Sequence, residues 1–254
     1  MADPDDFKKV FASLNSGQLD LLLEMARYMS KETEEESDIN SNLLTPEFTA
    51  HFSNRLLIHH ATSEEKFNKK SFEFAFAAAS RSAGRKAIIV PDPTNAGADV
   101  IVDGTKFSLK TEAAANISPK RITISKLMEA RWIRNCVSRE NFASHTQSHV
   151  VTHLEQYQRI VCLRAFDVPK NKVRYVLVEI PCDLLLKIRN LAAGDFRPRN
   201  QSGGSGAAVY DGKERVFSIR IDGSVEKITV SGLLIERCIT HGSWTVPTIN
   251  RSRE

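Results

Sequence analysis

Cysteine is scarce in this chain and widely scattered. Its cysteines are Cys136, Cys162, Cys182 and Cys238, and no C-x-x-C pair occurs. Disulfide-rich secreted folds and cysteine-based zinc sites space their cysteines closely and regularly. The pattern therefore favours reduced thiols, which we expect to be small buried side chains in a cytoplasmic protein.

Long hydrophobic runs are also missing. No stretch of about 18 apolar residues occurs in the sequence, so no transmembrane helix is expected. The acidic start, Met-Ala-Asp-Pro-Asp-Asp, lacks the pattern of a signal peptide. Hydrophobic residues nevertheless make up 41% of the 254 residues, which is enough for a sizeable core. The length predicts one large domain, alone or with an appended subdomain.

Charge is distributed unevenly, although the net value is only +4. Residues 1–65 contain 5 Lys and Arg against 13 Asp and Glu, whereas residues 66–254 contain 30 against 18. A basic body of this size is typical of a protein that binds a polyanion, although such charges also simply solvate surfaces. The acidic N-terminal part is a poor candidate for contacts with DNA phosphates.

Helical spacing of apolar residues predicts three helices near the N-terminus, over about residues 5–14, 16–30 and 46–60. The polar, acidic run at residues 31–42 is interpreted as a loop or linker. Residues 1–62 are therefore predicted to form a helical subdomain that packs on the rest of the chain or on a second copy.

Residues 63–254 are predicted to form a second, larger domain. Residues 62–65, Thr-Ser-Glu-Glu, have the form of a capping box and are expected to open a helix. Two further helices are predicted over about residues 125–137 and 144–157, and a turn at the Pro-Asp pair 91–92. Strands are expected at residues 87–90, 160–166, 175–180, 216–221, 227–230 and 244–246. This order predicts an α/β or α+β fold with a mixed central sheet flanked by helices.

A tight hairpin is predicted in the middle of the chain. Val100–Val102 and Lys106–Leu109 have the composition of short strands. The pair Asp103-Gly104 between them is typical of a two-residue turn.

The register of this hairpin decides which side chains meet. With a two-residue turn Asp99 faces Ser108, and Lys110 lies diagonally across on the same face. A three-residue turn would instead place Asp99 opposite Leu109 and send Lys110 to the other face. The first register gathers an acid and a lysine, as a metal-dependent nuclease requires.

The order of helix, strand, acid-bearing hairpin and helix over about residues 63–180 resembles the PD-(D/E)xK nuclease superfamily, and in particular the type II restriction endonucleases. Asp99 matches the first acid of the motif, Lys110 the lysine, and Glu73 the acid that many members carry in the preceding helix. The resemblance implies a restriction-endonuclease-like core, with residues 63–254 as the nuclease catalytic and DNA-recognition domain, and a homodimer that uses Mg²⁺ to cut double-stranded DNA at specific sites. The expected products carry a 5′-phosphate and a 3′-hydroxyl.

The sequence departs from the motif at Ser108, where the family usually has an acid two residues before the lysine. Some restriction enzymes also have Ser there and take the missing carboxylate from elsewhere. Glu112, on the same strand face as Lys110, is the narrowly preferred replacement, and Glu129, in the predicted following helix, is the alternative. Asp99 and Glu112 would then hold Mg²⁺, while Lys110 orients or deprotonates the attacking water.

Residues 194–206 are rich in Gly and Ser and lack periodicity, so we expect a flexible loop. It carries residue types that contact guanine and adenine edges, namely Arg197, Arg199, Asn200 and Gln201. Lys120 and Arg121 are further candidates for DNA binding. The alternative is a solvent-exposed loop without a partner.

His145, His149 and His153 recur every fourth residue on a predicted helix, a spacing that can bind zinc. Because no nearby Cys or Glu completes a tetrahedral site, surface histidines or phosphate contacts are favoured instead. Two other functions also fit the sequence: a DNA-binding module that does not cleave, and a structure-specific repair nuclease with the same core.

Overall fold

Two β-sheets and the helices packed on them form the part of the chain that the structure, a computed structural model, describes: residues 4–91 and 97–249. The strands are β1 (Glu34–Ser37), β2 (Ala87–Ile89), β3 (Val100–Val102), β4 (Thr105–Glu112), β5 (Arg121–Glu129), β6 (Arg159–Val168), β7 (Lys172–Ile180), β8 (Ser205–Asp211), β9 (Glu214–Asp222), β10 (Lys227–Leu234) and β11 (Ile239–Pro247). The helices are α1 (Pro4–Ala12), α2 (Ser16–Met29), α3 (Pro46–Thr62), α4 (Lys69–Ser82), α5 (Arg139–His145), α6 (Val151–Leu154) and α7 (Cys182–Leu186).

Both sheets are built mainly from antiparallel pairs. Within the described ranges, the larger sheet has seven strands in the order β1-β11-β7-β6-β4-β3-β2, and the smaller has four in the order β5-β10-β9-β8. Strands β4 and β6 run parallel, which makes the larger sheet mixed. The predicted mixed sheet flanked by helices is confirmed. None of the helices in the described residues is long and apolar enough to cross a membrane.

Each face of the larger sheet has its own hydrophobic core. On one face, aromatic side chains of α3 and α4, including Phe52 and Phe76, pack with Trp244 of β11. On the other face, Ile160 and Val178 pack with the smaller sheet and with α5 and α7. Because the first core joins α3 to the strands, part of the predicted N-terminal subdomain packs on the rest of the chain. The division at residue 62 itself stays a prediction.

Several elements match the prediction closely. The three N-terminal helices occur as α1, α2 and α3, and Pro46 starts α3 behind a Thr45 cap. The helix expected at 144–157 occurs as α5 and α6, joined by a π-helical turn at Thr146–Val150. The late strands are β9, β10 and β11. Of the turn predicted at 91–92, Asp92 lies outside the described residues.

Other predictions were wrong. No α-helix forms at 125–137: residues 125–129 end strand β5, in which Ile122 and Ile124 alternate with exposed residues as in a half-buried strand, and a short 3-10 helix follows at Arg131–Asn135. The sequence at 62–65 does not cap a helix: α3 ends at Thr62, and Asn68 caps α4 by accepting the Ser71 N–H.

Two segments expected to lack structure are also ordered. The acidic linker contains β1, which pairs with β11 at the edge of the larger sheet. The loop at 194–206 is folded back on itself, since the Arg197 N–H donates to the Gly206 carbonyl and the Asn200 N–H to that of Gly204. Its last residues belong to β8.

Candidate active site

The hairpin has the two-residue turn that places the motif residues on one face. Val102 pairs with Thr105 and Val100 with Phe107. Asp103 and Gly104 have φ values of 49° and 82°, the positive values that a tight hairpin turn requires at both central positions. The predicted register is therefore confirmed, and the three-residue alternative is excluded.

Asp99 is held at the start of this hairpin by strand backbone. Its N–H donates to the Phe107 carbonyl at 2.8 Å, and its Oδ2 accepts the Leu109 N–H at 2.6 Å. The Ser108 hydroxyl lies 3.4 Å from the same oxygen. These contacts use Oδ2, whereas Oδ1 accepts from the Lys69 ammonium at 2.8 Å.

The two faces of strand β4 carry different side chains, apolar on one face and polar on the other. Phe107 and Leu109 enter the core beneath α4, whereas Ser108, Lys110 and Glu112 point to the opposite face. All three polar residues are buried. Buried polar groups in a row must be paired or functional, since otherwise their loss of hydration destabilises the fold.

Lys110 lies where the two sheets meet. Its Nζ donates to the Leu127 carbonyl of β5 at 3.3 Å, and His153 Nε2 donates to the same oxygen at 3.2 Å. Burial, and then the charge of Lys69, lowers the pKa of Lys110 to about 8, while the Asp99 carboxylate raises it. Burial, and then the charge of Lys110, lowers the pKa of His153 to about 4, so its ring is neutral at neutral pH.

Two carboxylates converge on one ammonium group beside Lys110. Lys69 Nζ lies 2.8 Å from Asp99 Oδ1 and 3.7 Å from Glu73 Oε1. Lys70 contacts the other oxygen of Glu73 at 3.3 Å. Glu73 is 8% exposed, so its charge needs such partners. Asp99 and Glu73 thus form a pair of acids that already holds a cation.

The two other candidate acids are placed differently. Glu112 shares the face of Lys110, as predicted, but it forms a buried ion pair with Arg164 at 2.6 Å and accepts the Thr123 N–H at 2.8 Å. Glu129 lies at the end of strand β5 rather than in a helix, and its exposed carboxylate pairs with Lys126 at 2.7 Å.

The donor set suits a hard divalent cation. Among the described residues, no group of three or more His, Cys, Asp and Glu side chains is placed to hold a metal. Mg²⁺, however, commonly takes one or two carboxylates and keeps several waters. Asp99 and Glu73, which meet at the Lys69 ammonium, fit that requirement.

The predicted DNA-binding side chains belong to other elements than this pair, the turn before β8 and the start of β5. Those of Arg197, Arg199, Asn200 and Gln201 are exposed. The Asn200 carboxamide instead accepts the Gly204 N–H at 2.8 Å and closes its own loop. Lys120 is exposed, and Arg121 donates to the Gly232 carbonyl at 3.0 Å.

The three spaced histidines do not form one group. The rings of His145 and His149 stack on each other and on Trp132, with centroids 5.4 to 5.5 Å apart. His153 turns to Lys110 instead. Lys69 was not predicted as a site residue, although it lies one helical turn before Glu73, a spacing that brings two side chains together. His153 was predicted only as one of the three spaced histidines and not as a neighbour of Lys110.

A model of the SmaI family, described as type II site-specific deoxyribonuclease, matches residues 10–246. The chain belongs to this family. The type II restriction enzyme SmaI of Serratia marcescens is 33% identical over 250 residues, which cover 96% of this chain and 97% of the relative. No solved structure matches the chain. This family membership confirms the predicted restriction endonuclease. It does not favour either alternative, the DNA-binding module that does not cleave or the structure-specific repair nuclease. As an endodeoxyribonuclease of the SmaI family it acts on DNA, and type II restriction enzymes generally use divalent metal ions.

Proposed function

We propose that this SmaI-family enzyme cuts both strands of DNA at a specific site with Mg²⁺ held by Asp99 and Glu73, and leaves 5′-phosphates. The observation that carries the proposal is the convergence of these two carboxylates on one cation, the Lys69 ammonium, beside the buried Lys110.

Asp99 and Glu73 have complementary roles in this arrangement. Asp99 is fixed by the Leu109 N–H and presents Oδ1, while Glu73 reaches the same point from α4. A bound Mg²⁺ supplies a coordinated water of lowered pKa and positive charge near the scissile phosphate.

Lys110 orients the attacking water and offsets negative charge on the phosphate. Its lowered pKa lets it lose a proton more readily than an exposed lysine does. The Leu127 carbonyl, shared with His153, holds the ammonium in place.

Glu73 replaces Glu112 as the second ligand in this proposal. Glu112 already neutralises Arg164, whose guanidinium also donates to the carbonyls of Ser118 and Arg121. Moving Glu112 to a metal would leave a buried Arg unpaired, which costs several kcal/mol. Its role is to fix the connection between β4 and β5.

Sequence recognition is assigned to exposed basic and amide side chains outside the pair of acids. Arg197, Arg199 and Gln201 project from the ordered turn before β8 and have the chemistry to reach base edges. The exposed Lys120 is suited to contact a DNA phosphate. Arg121 can contact a phosphate when its guanidinium gives up the hydrogen bond to the Gly232 carbonyl.

A homodimer is proposed through α1 and α2. These helices expose large apolar side chains, including Phe7, Val10, Leu19, Leu21 and Leu23, all at least 38% exposed. A second copy is the favoured occupant, because a two-fold symmetric enzyme matches a palindromic DNA site.

The test is digestion of several plasmids of known sequence with Mg²⁺, followed by sequencing of the fragment ends. Wild-type protein is expected to give discrete fragments with one shared end sequence. Asp99→Ala and Lys110→Ala should each slow cleavage more than about a hundredfold, and both should still bind DNA. Lys106→Ala, an exposed lysine of the same strand, is the matched control and should cut normally. Near-normal cleavage by either site variant would show that the site is wrongly assigned.

A further inference from the structure

Tyr157 has a buried hydroxyl group that the site described above does not use. The residue is 4% exposed, and its phenol oxygen has no hydrogen-bond partner among the described residues. An unpaired buried hydroxyl destabilises the folded state, so its presence needs an explanation.

The phenol lies against the active site. Its ring packs edge-on against His153, with centroids 5.4 Å apart. Burial raises the pKa of Tyr157 above its usual range, the Asp99 charge raises it further, and the Ser108 hydroxyl lowers it. Ser108 is therefore a neighbour, but its contact with the phenol does not meet the geometry of a hydrogen bond. The phenol is neutral and has a proton to donate.

The backbone beside Tyr157 is fixed relative to Ser108. The Gln158 N–H donates to the Lys106 carbonyl at 3.0 Å, and the Lys106 N–H donates to Gln158 Oε1 at 2.7 Å. Strand β6 then runs parallel to β4, with Ile160 opposite Ser108. The tyrosine is thus placed by the strand that carries the motif.

We propose that Tyr157 is a positioning residue that acts through Ser108, and that the two hydroxyl groups together orient the Asp99 carboxylate. In the enzyme loaded with metal and DNA, the phenol donates to Ser108 Oγ, and Ser108 donates to Asp99 Oδ2. The second bond is long in the free protein, at 3.4 Å. The chain of hydrogen bonds keeps Oδ1 of Asp99 turned to the cation. The inference rests on the proposed role of Asp99.

The experiment compares wild type, Tyr157→Phe, Ser108→Ala and the double variant. Single-turnover cleavage is measured as a function of Mg²⁺ concentration on a duplex that contains the site found by fragment-end sequencing. We expect Tyr157→Phe to slow cleavage about tenfold, and to need more Mg²⁺ for half-maximal rate, with DNA affinity unchanged. In the Ser108→Ala background the tyrosine change should have no further effect, since coupled residues are not additive.

Tyr175→Phe is the matched control. Tyr175 is equally buried, but its hydroxyl bonds His60 Nε2 at 2.8 Å and the Phe67 N–H at 3.1 Å. Urea unfolding should show lower stability for Tyr175→Phe and equal or higher stability for Tyr157→Phe, because only the former leaves buried groups unpaired. Tyr175→Phe should cut at the wild-type rate where it is folded.

The outcomes separate this inference from the proposed function. A wild-type rate and Mg²⁺ dependence for Tyr157→Phe, or additive losses in the double variant, would overturn the role of Tyr157. So would a loss of stability as large as that of Tyr175→Phe, which would show a structural partner for the phenol. If Asp99→Asn also retained cleavage, the site itself would be wrong; if Asp99→Asn were inactive, the failure would concern Tyr157 alone.

Discussion

Lys69 and Asp99 form an ion pair at the centre of the site, with Nζ 2.8 Å from Oδ1. The same ammonium lies 3.7 Å from Glu73. Two acids that converge in this way repel each other unless a cation lies between them. In the free enzyme that cation is Lys69, so in the proposed site the ammonium and a divalent ion would compete for the same oxygens.

Replacing Lys69 by Ala should therefore make the protein more dependent on Mg²⁺ for stability. Without metal, we expect the free energy of unfolding to fall by about 1 to 3 kcal/mol, because two acids lose a shared partner. Added Mg²⁺ should raise the melting temperature of Lys69→Ala more than that of wild type. Thermal unfolding with and without Mg²⁺ measures both effects.

Lys70→Ala is the control for this change. Lys70 also pairs with Glu73, at 3.3 Å, but its side chain is 64% exposed and the structure pairs it with Glu73 and not with Asp99. It should lose little stability and respond to Mg²⁺ as wild type does. Equal Mg²⁺ responses in both lysine variants would show that the ion does not replace Lys69.

The hairpin could be predicted from the sequence because its determinants are local. Asp103-Gly104 selects the turn, and the period of two along the strands places Asp99 beside Ser108. The cation on Asp99 could not be predicted in this way. Lys69 comes from a helix 30 residues earlier, and its approach depends on how α4 packs on the sheet.

Glu73 and Glu112 should respond to substitution in opposite ways. Glu73→Gln is expected to abolish cleavage with only a small change in stability, because the amide keeps the size of the side chain and loses the charge that binds metal. Glu112→Gln should lower the free energy of unfolding by about 3 to 5 kcal/mol, since Arg164 is left buried without its counter-charge. Urea unfolding and single-turnover cleavage, run on both variants, check this pair. If Glu112→Gln were folded but inactive while Glu73→Gln remained active, the second metal ligand would be Glu112 and not Glu73.

The position of Glu112 could be predicted from the sequence, but its ion-pair partner could not. Its position on the face of Lys110 follows from strand periodicity and is correct. Its partner Arg164 lies 52 residues later, on a strand that pairs in parallel with β4. Such non-local pairing has no short-range signal in the sequence. Strand β5 was missed for a related reason, since its pairing with β10 outweighs the helical spacing that suggested a helix.

His60 should make the folded protein sensitive to acid. Its Nδ1 donates to the Ser63 carbonyl, so Nε2 accepts from the Tyr175 hydroxyl. Burial, and then the charge of His59, lowers the pKa of His60 to about 4, below its ordinary value of 6.5. The unfolded chain therefore binds a proton between pH 6.5 and 4 that the folded chain does not, and stability falls as the pH falls.

The expected loss from this one histidine is up to about 3 kcal/mol over that range. Urea unfolding at several pH values should show a shallower pH dependence for His60→Gln than for wild type. His149→Gln, at an exposed position, should keep the wild-type slope. An unchanged slope in His60→Gln would assign the acid sensitivity to other groups, of which the neutral His153 is the first candidate.

Arg199 and Asn200 should separate DNA binding from loop structure. Arg199→Ala is expected to weaken DNA binding and to reduce the salt dependence of the affinity by about one counterion if it meets a phosphate. Asn200→Ala should instead lower stability by about 1 kcal/mol, because its carboxamide accepts the Gly204 N–H. Affinities measured over a range of salt concentrations, together with urea unfolding, distinguish the two. If Asn200→Ala lost the preference for the DNA site and Arg199→Ala kept it, Asn200 would be the residue that contacts the bases.

Leu19→Glu and Leu23→Glu should dissociate the proposed dimer. The two leucines lie one turn apart on α2 and are 38% and 50% exposed, so they present one apolar surface to a second copy. A buried carboxylate there would oppose association, whereas the monomer would lose little because neither side chain packs in its core. Sedimentation equilibrium is expected to show dimeric wild type and monomeric variants. Ile39→Glu, at a side chain 96% exposed in the loop after β1, should stay dimeric. If wild-type protein sedimented as a monomer both free and bound to DNA, the proposed dimer would be wrong. If both leucine variants remained dimeric, the dimer interface would lie elsewhere on the protein.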